Sequence, residues 1–132
     1  MPNRRAPGRR KEAAVTLKIS TRDQDGVAVI TCSGRIVFGD EATMLRDEVK
    51  KTLTQSKNIV INLGGVSYID SGGLGTLVSL YTSAKAAGGD IKLANLTQRV
   101  GDLLQITKLL TVFETFEGEA KAIASYKQAA SA

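Results

Sequence analysis

Residues 58–75 read N58-I-V-I-N-L-G-G-V-S-Y-I-D-S-G-G-L-G75, and this stretch decides the fold. Its first part, N58-I-V-I-N-L63, is a compact β-branched run without clean alternation. That is the pattern of a central strand covered on both faces. Its second part sets an acid, a hydroxyl and two glycines just ahead of an apolar helical period. Leu74, Leu77, Val78, Tyr81 and Ala84 predict a helix from about Ser71 to Ala87 with that face inward, and G88-G89 supplies a left-handed stop.

Strands and helices alternate on both sides of this centre. V15-T-L-K-I19 has period two, D-Q-D-G follows, and V27-A-V-I-T-C32 resumes the pattern, so a hairpin is expected at Asp25-Gly26. After G34-R-I-V-F-G39, Asp40 is a good N-cap residue, and Ala42, Leu45, Val49 and Leu53 recur at helical spacing. Downstream, I91-K-L-A94 reads as a strand, and a third helix starts at Thr97 or Gln98 and runs through Val100, Leu103 and Leu104. V112-F-E-T-F116 reads as a short last strand, and a helix from about Gly118 to Lys127 closes the chain. The expectation is one α/β domain: a mostly parallel central sheet, an N-terminal β-hairpin and about four helices. At 132 residues the chain fits one core rather than two.

Composition removes several functions. There is no histidine and only one cysteine, so zinc sites, Ser-His-Asp and Cys-His arrangements cannot be assembled. Cys32 is expected to be an inert, buried strand residue in a reducing cytoplasm. G-x-x-x-x-G-K-[ST] is absent, and G72-G-L-G75 lacks dinucleotide-fingerprint spacing. No stretch approaches the roughly 20 apolar residues of a membrane span, and no apolar core follows the basic start. The reading is therefore cytoplasmic, without membrane insertion. The net charge of +5 owes much to Arg4, Arg5, Arg9, Arg10 and Lys11, a short basic tail read as a solvated end. No aromatic and basic interleaving follows, so nucleic acid is not expected as a partner. Asp40 and Asp70 could both lie at loops by strand ends, as a carboxylate pair or simply as capping and loop-holding residues.

Ser71 is expected at the N-cap or in the first turn. Capping alone would account for a serine there. Glycine in a helix costs about 1 kcal/mol relative to alanine, so Gly72 and Gly73 together suggest backbone left uncovered for a docking partner. A phosphoryl group on Ser71 would add about −1.5 to −2 charge beside Asp70, near the positive end of the helix dipole. A partner covering it would have to desolvate that charge.

I59-V-I-N-L-G-G-V-S-Y-I-D-S-G-G-L-G-T-L77 resembles the signature of anti-sigma-factor antagonists, in the STAS domain family. A87-G-G-D-I-K-L-A-N95 resembles the loop and strand after that family's second helix, and L103-L-Q-I-T-K-L-L-T-V-F-E-T-F116 its third helix and last strand. The resemblance implies a basic tail at residues 1–13, a STAS domain at 14–127 and a C-terminal tail at 128–132. It further implies a non-enzymatic protein, without cofactor of its own, that binds an anti-sigma factor serine kinase and frees a sigma factor. Phosphorylation of Ser71 would end that binding, and a serine/threonine phosphatase would restore it. The implied contact surface is Phe38, Gly39 and Asp40 with Asp70, Ser71, Gly72, Gly73, Leu74, Gly75 and Thr76. A homodimer is left open.

Three features depart from the family pattern. Where many antagonists read G-E-L-D, this chain has G34-R-I-V37, so Arg35 and Val37 replace two acids; Asp40 and Glu41 are candidates to supply the charge instead. Gly72 stands where serine is common, and Thr76 reads as a packed helix residue rather than a second phosphosite. The alternatives are a STAS interaction module of a stress-sensing or lipid-transport complex, and a nucleotide-binding or enzymatic domain using the amides of Ser71 to Gly73 as an anion nest.

Overall fold

The structure, a computed structural model, describes residues 16–131. The expected basic tail at residues 1–13 lies outside the described residues.

Strands β1 (Leu17–Gln24) and β2 (Val27–Ile36) pair antiparallel, from Leu17 opposite Gly34 to Gln24 opposite Val27. Asp25 and Gly26 join them with φ of 56° and 81°. Two successive left-handed residues are what a type I′ hairpin requires, and Asp-Gly accommodates them at little steric cost. Strand β3 (Asn58–Ile69) then runs parallel to β2, β4 (Asp90–Ala94) parallel to β3, and β5 (Thr115–Phe116) parallel to β4. The five strands lie in the order β1-β2-β3-β4-β5.

Among the described residues four helices cover the sheet: α1 (Asp40–Leu53), α2 (Ser71–Ala86), α3 (Gln98–Ile106) and α4 (Glu119–Ser131). β3 is buried on both sides, as its unbroken apolar run requires. Ile59, Ile61 and Leu63 join a core with Leu45, Val49, Leu77 and Leu80, while Val60 meets Ala122, Ile123 and Tyr126 of α4 on the opposite face. The Tyr126 hydroxyl donates to the Ile59 carbonyl at 2.7 Å, which satisfies the one polar group this residue brings into the second core. Cys32 is fully buried, and burial pushes its thiol pKa up to about 12, so it is inert at neutral pH.

Several elements differ from the sequence reading. Gly39 occupies the N-cap position of α1 at φ 108° and no side chain caps that end; Asp40 is the first helical residue instead. An L-residue seldom adopts Gly39's conformation, so the position of the glycine, not the acid, decides where α1 begins. β3 continues through Gly64 and Gly65 to Ile69, because Gly65 pairs with Ser33 and Val66 with Gly34 across a register shift in β2. In α2, Leu80 is buried while Val78 and Tyr81 are only partly covered, so the inward stripe is rotated from the expected one. Leu109–Thr111 form a 3-10 turn, leaving only Thr115–Phe116 of the expected last strand. α4 runs on beyond Lys127 to Ser131, into the expected C-terminal tail.

The close approach of α2 to β2 rests on one glycine. A Cβ on Gly73 would stand 2.2 Å from the Ile36 carbonyl oxygen and 2.9 Å from Ile69 Cγ1, whereas one on Gly75 would meet nothing within 4 Å. Gly73→Ala should therefore lower the unfolding free energy by about 2–3 kcal/mol through displaced backbone. Gly75→Ala should raise it by about 0.5–1 kcal/mol, since it removes only a helical glycine. Urea denaturation of the two variants checks the opposite signs.

Candidate functional site

β2 and β3 run parallel, so their C-terminal ends bring the loop before α1 and the start of α2 together. Asp70 joins them. It is the N-cap of α2, with φ −103° and ψ −178°, and its Oδ1 accepts from the Gly73 N–H at 2.8 Å. Both carboxylate oxygens also lie 3.1 Å from the Phe38 N–H, and the Asp70 N–H donates to the Ile36 carbonyl at 3.3 Å. The Gly73 amide, seconded by that of Phe38, holds the Asp70 carboxyl below the usual carboxylate range against the opposing effect of burial. A carboxylate that bonds backbone from the Phe38 loop and from the first turn of α2 fixes the spacing between them.

Ser71 follows as the first residue of α2, and it is exposed. Phe38 lies next to it through Gly72: a Cβ on Gly72 would sit 2.6 Å from Phe38 Cβ. The glycines thus do not leave bare backbone, as their helix cost suggested. Gly72 makes room for the loop carrying Phe38, and Gly73 for the end of β2. Phe38 as a whole remains 81% exposed, the largest exposure among the big apolar residues described. An exposed phenylalanine pinned beside an exposed serine is a surface arranged for contact.

The expected contact residues divide into surface and support. Phe38, Asp40, Ser71 and Gly75 are exposed, whereas Gly73, Leu74 and Thr76 are buried. The Thr76 hydroxyl donates to the Gly72 carbonyl at 3.0 Å, which agrees with its reading as a packed residue. Glu41 does not supply surface charge in place of the missing acids. It is 7% exposed, and it accepts from the Thr16 N–H at 3.0 Å and the Thr16 hydroxyl at 3.2 Å. Those bonds, the backbone one foremost, hold its pKa low. An anion nest at Ser71 to Gly73 is also compromised, because the Gly73 amide already serves an internal carboxylate.

A cleft of about 820 Å³ opens on the other side of Ser71, between α2 and α3, lined by Tyr68, Leu74, Arg99, Leu103 and Ile106 among others. Ile106 is 75% exposed there. Arg35 and Arg99 both approach the Tyr68 ring, with guanidinium carbons 5.2 and 5.9 Å from its centroid. Sequence reasoning missed this wall, because α3 is brought to Ser71 only by the crossover through β4. Among the described residues no three His, Cys, Asp or Glu side chains cluster to hold a metal, and no helix is long and apolar enough to cross a membrane.

The STAS domain matches residues 18–122 of the sequence, and the chain belongs to that family. Among relatives, it is 37% identical over 73 residues to an anti-sigma-B factor antagonist of Bacillus subtilis, covering 55% of this chain and 67% of that one. It is 25% identical over 111 residues to an anti-sigma F factor antagonist of Paenibacillus polymyxa, covering 83% and 94%. The Bacillus cell fate determinant SpoIIAA, solved in its phosphorylated form, superposes with a TM-score of 0.66 at 18% identity, over 83% of this chain and 99% of that one. At that identity the superposition shows the shared fold.

Acid tests the Asp70 clamp. Its folded pKa lies below its unfolded value of about 3.9, so the unfolded chain binds the extra proton in acid. The stabilisation is therefore present above that value and is lost as pH falls through the lower folded pKa. Asp70→Asn retains an acceptor without the titration, and the acid limb of its stability curve should be shallower than wild type's as pH falls below about 4. Asp70→Ala should lose about 1 kcal/mol at pH 7. Urea midpoints across pH measure both.

Proposed function

We propose that this chain is an anti-sigma-factor antagonist, a non-enzymatic binding protein of the cytoplasm that sequesters an anti-sigma factor serine kinase and so frees a sigma factor. The names of its relatives support the class. The observation that carries the reading to residues is the exposed Ser71 near Phe38, a residue 81% exposed, with Asp70 bonding the amides of Phe38 and Gly73 on either side of it. Covering Phe38 supplies apolar contact to the partner.

The switch follows from charge. The kinase transfers the γ-phosphoryl group of ATP to Ser71 Oγ, ADP leaves and the hydroxyl proton is lost. ATP and its metal belong to the kinase. The new dianion sits within the contact area, and a partner that covers it must desolvate it, which costs several kcal/mol when unpaired. Release follows, and hydrolysis by a serine/threonine phosphatase resets the protein. Gly39, Asp40 and Gly75 form the rim of this contact, while Gly72, Gly73, Leu74 and Thr76 hold its shape.

Arg35 and Val37, standing where many antagonists carry acids, favour a second reading: a STAS module in a stress-sensing or lipid-transport complex. Capture from native cytoplasm on wild type, Ser71→Ala and Ser71→Asp, with bound proteins identified by mass spectrometry, separates the two. The antagonist reading predicts a kinase-like anti-sigma factor on wild type and Ser71→Ala, with at least about tenfold weaker retention on Ser71→Asp, equivalent to 1.4 kcal/mol. Membrane transport proteins retained equally on all three would contradict it.

A further inference from the structure

Two guanidinium groups stand over one ring near Ser71, and among the described residues neither forms an ion pair within 4 Å, although Arg35 also feels the charge of the buried Glu41 carboxylate. Arg35 projects from β2, where it pairs in register with Tyr68 of β3, and Arg99 projects from the first turn of α3. Their guanidinium carbons lie 5.2 and 5.9 Å from the Tyr68 centroid. Among the described residues, the ion pairs within 4 Å involve Arg22, Lys85, Lys92, Lys121 and Lys127, not these two arginines. Arg99 and Ser71 line the same cleft, with Asp70 and Asp102 as its acids. Asp70 is engaged by the amides of Gly73 and Phe38.

We propose that Arg99, with Arg35 at the same Tyr68 ring, captures a phosphate on Ser71 within the same molecule, so that phosphorylation rearranges the Tyr68–Ile106 cleft rather than merely adding charge. The inference rests on Ser71 being the modified residue. A guanidinium presents donors in a planar fork that matches a phosphate, and its hold on an aromatic face at the surface is weak by comparison. The phosphate therefore draws Arg99 from Tyr68 across the cleft.

The test places phosphoserine at position 71 by genetic encoding, so that it does not depend on any kinase, and follows the phosphate by phosphorus NMR through pH 4–8. A nearby cation favours the dianion, so the second ionisation in wild type should fall below its ordinary value near 6. Arg99→Gln should raise it by about half a unit or more, Arg99→Lys should recover part of the shift, and Arg35→Gln with Arg99→Gln should raise it further. The helix terminus is common to all variants, so the differences isolate the arginines. Identical titrations in wild type and the double variant, both shown folded by amide spectra, overturn the proposal; should the double variant unfold, a wild-type titration unmoved by 1 M salt does so. Mass spectrometry of Ser71 in the native protein addresses the underlying reading separately.

Discussion

The Asp70 carboxylate holds the arrangement together. Its bonds to the amides of Gly73 and Phe38 tie the first turn of α2 to the loop before α1, two segments separated by a whole helix and strand in sequence. One N-cap interaction is common in helices. Here the same carboxylate also serves a second loop, so a local capping device becomes a tertiary spacer. Phe38 and Ser71 share a surface because of it.

Glycine makes that spacing attainable. Gly73 admits the Ile36 carbonyl and Gly72 admits Phe38, each at a distance where a methyl group would collide. Their loss of helix propensity is offset by close packing at the junction of β2, α1 and α2. With Phe38 seated there, any side chain at position 72 would have to displace it.

Much of the architecture was legible because it is local. Asp25-Gly26 marks the hairpin by its turn chemistry, the apolar run from Asn58 marks the central strand, and Thr97 marks the start of α3, where its hydroxyl accepts from the Val100 amide at 3.3 Å. What escaped was non-local. Whether Glu41 faces solvent depends on where Thr16 enters the sheet, and the length of β3 depends on a register shift in β2 rather than on Gly64 and Gly65 themselves. The site divided in the same way. Ser71 and Asp70 stood out by spacing, but the bond from Phe38 to Asp70 and the wall formed by Arg99, Leu103 and Ile106 arise only when α3 folds back beside α2.

The central claim is that Asp70 fastens the Phe38 loop to the start of α2 in the unbound protein. Amide hydrogen exchange at Phe38 reports it most directly, because that N–H lies in an exposed loop where Asp70 is its acceptor. The account predicts marked protection of the Phe38 amide in wild type, lost in Asp70→Ala while the amides of β3 stay protected. Exchange of Phe38 in wild type at the rate of an unstructured peptide would contradict it.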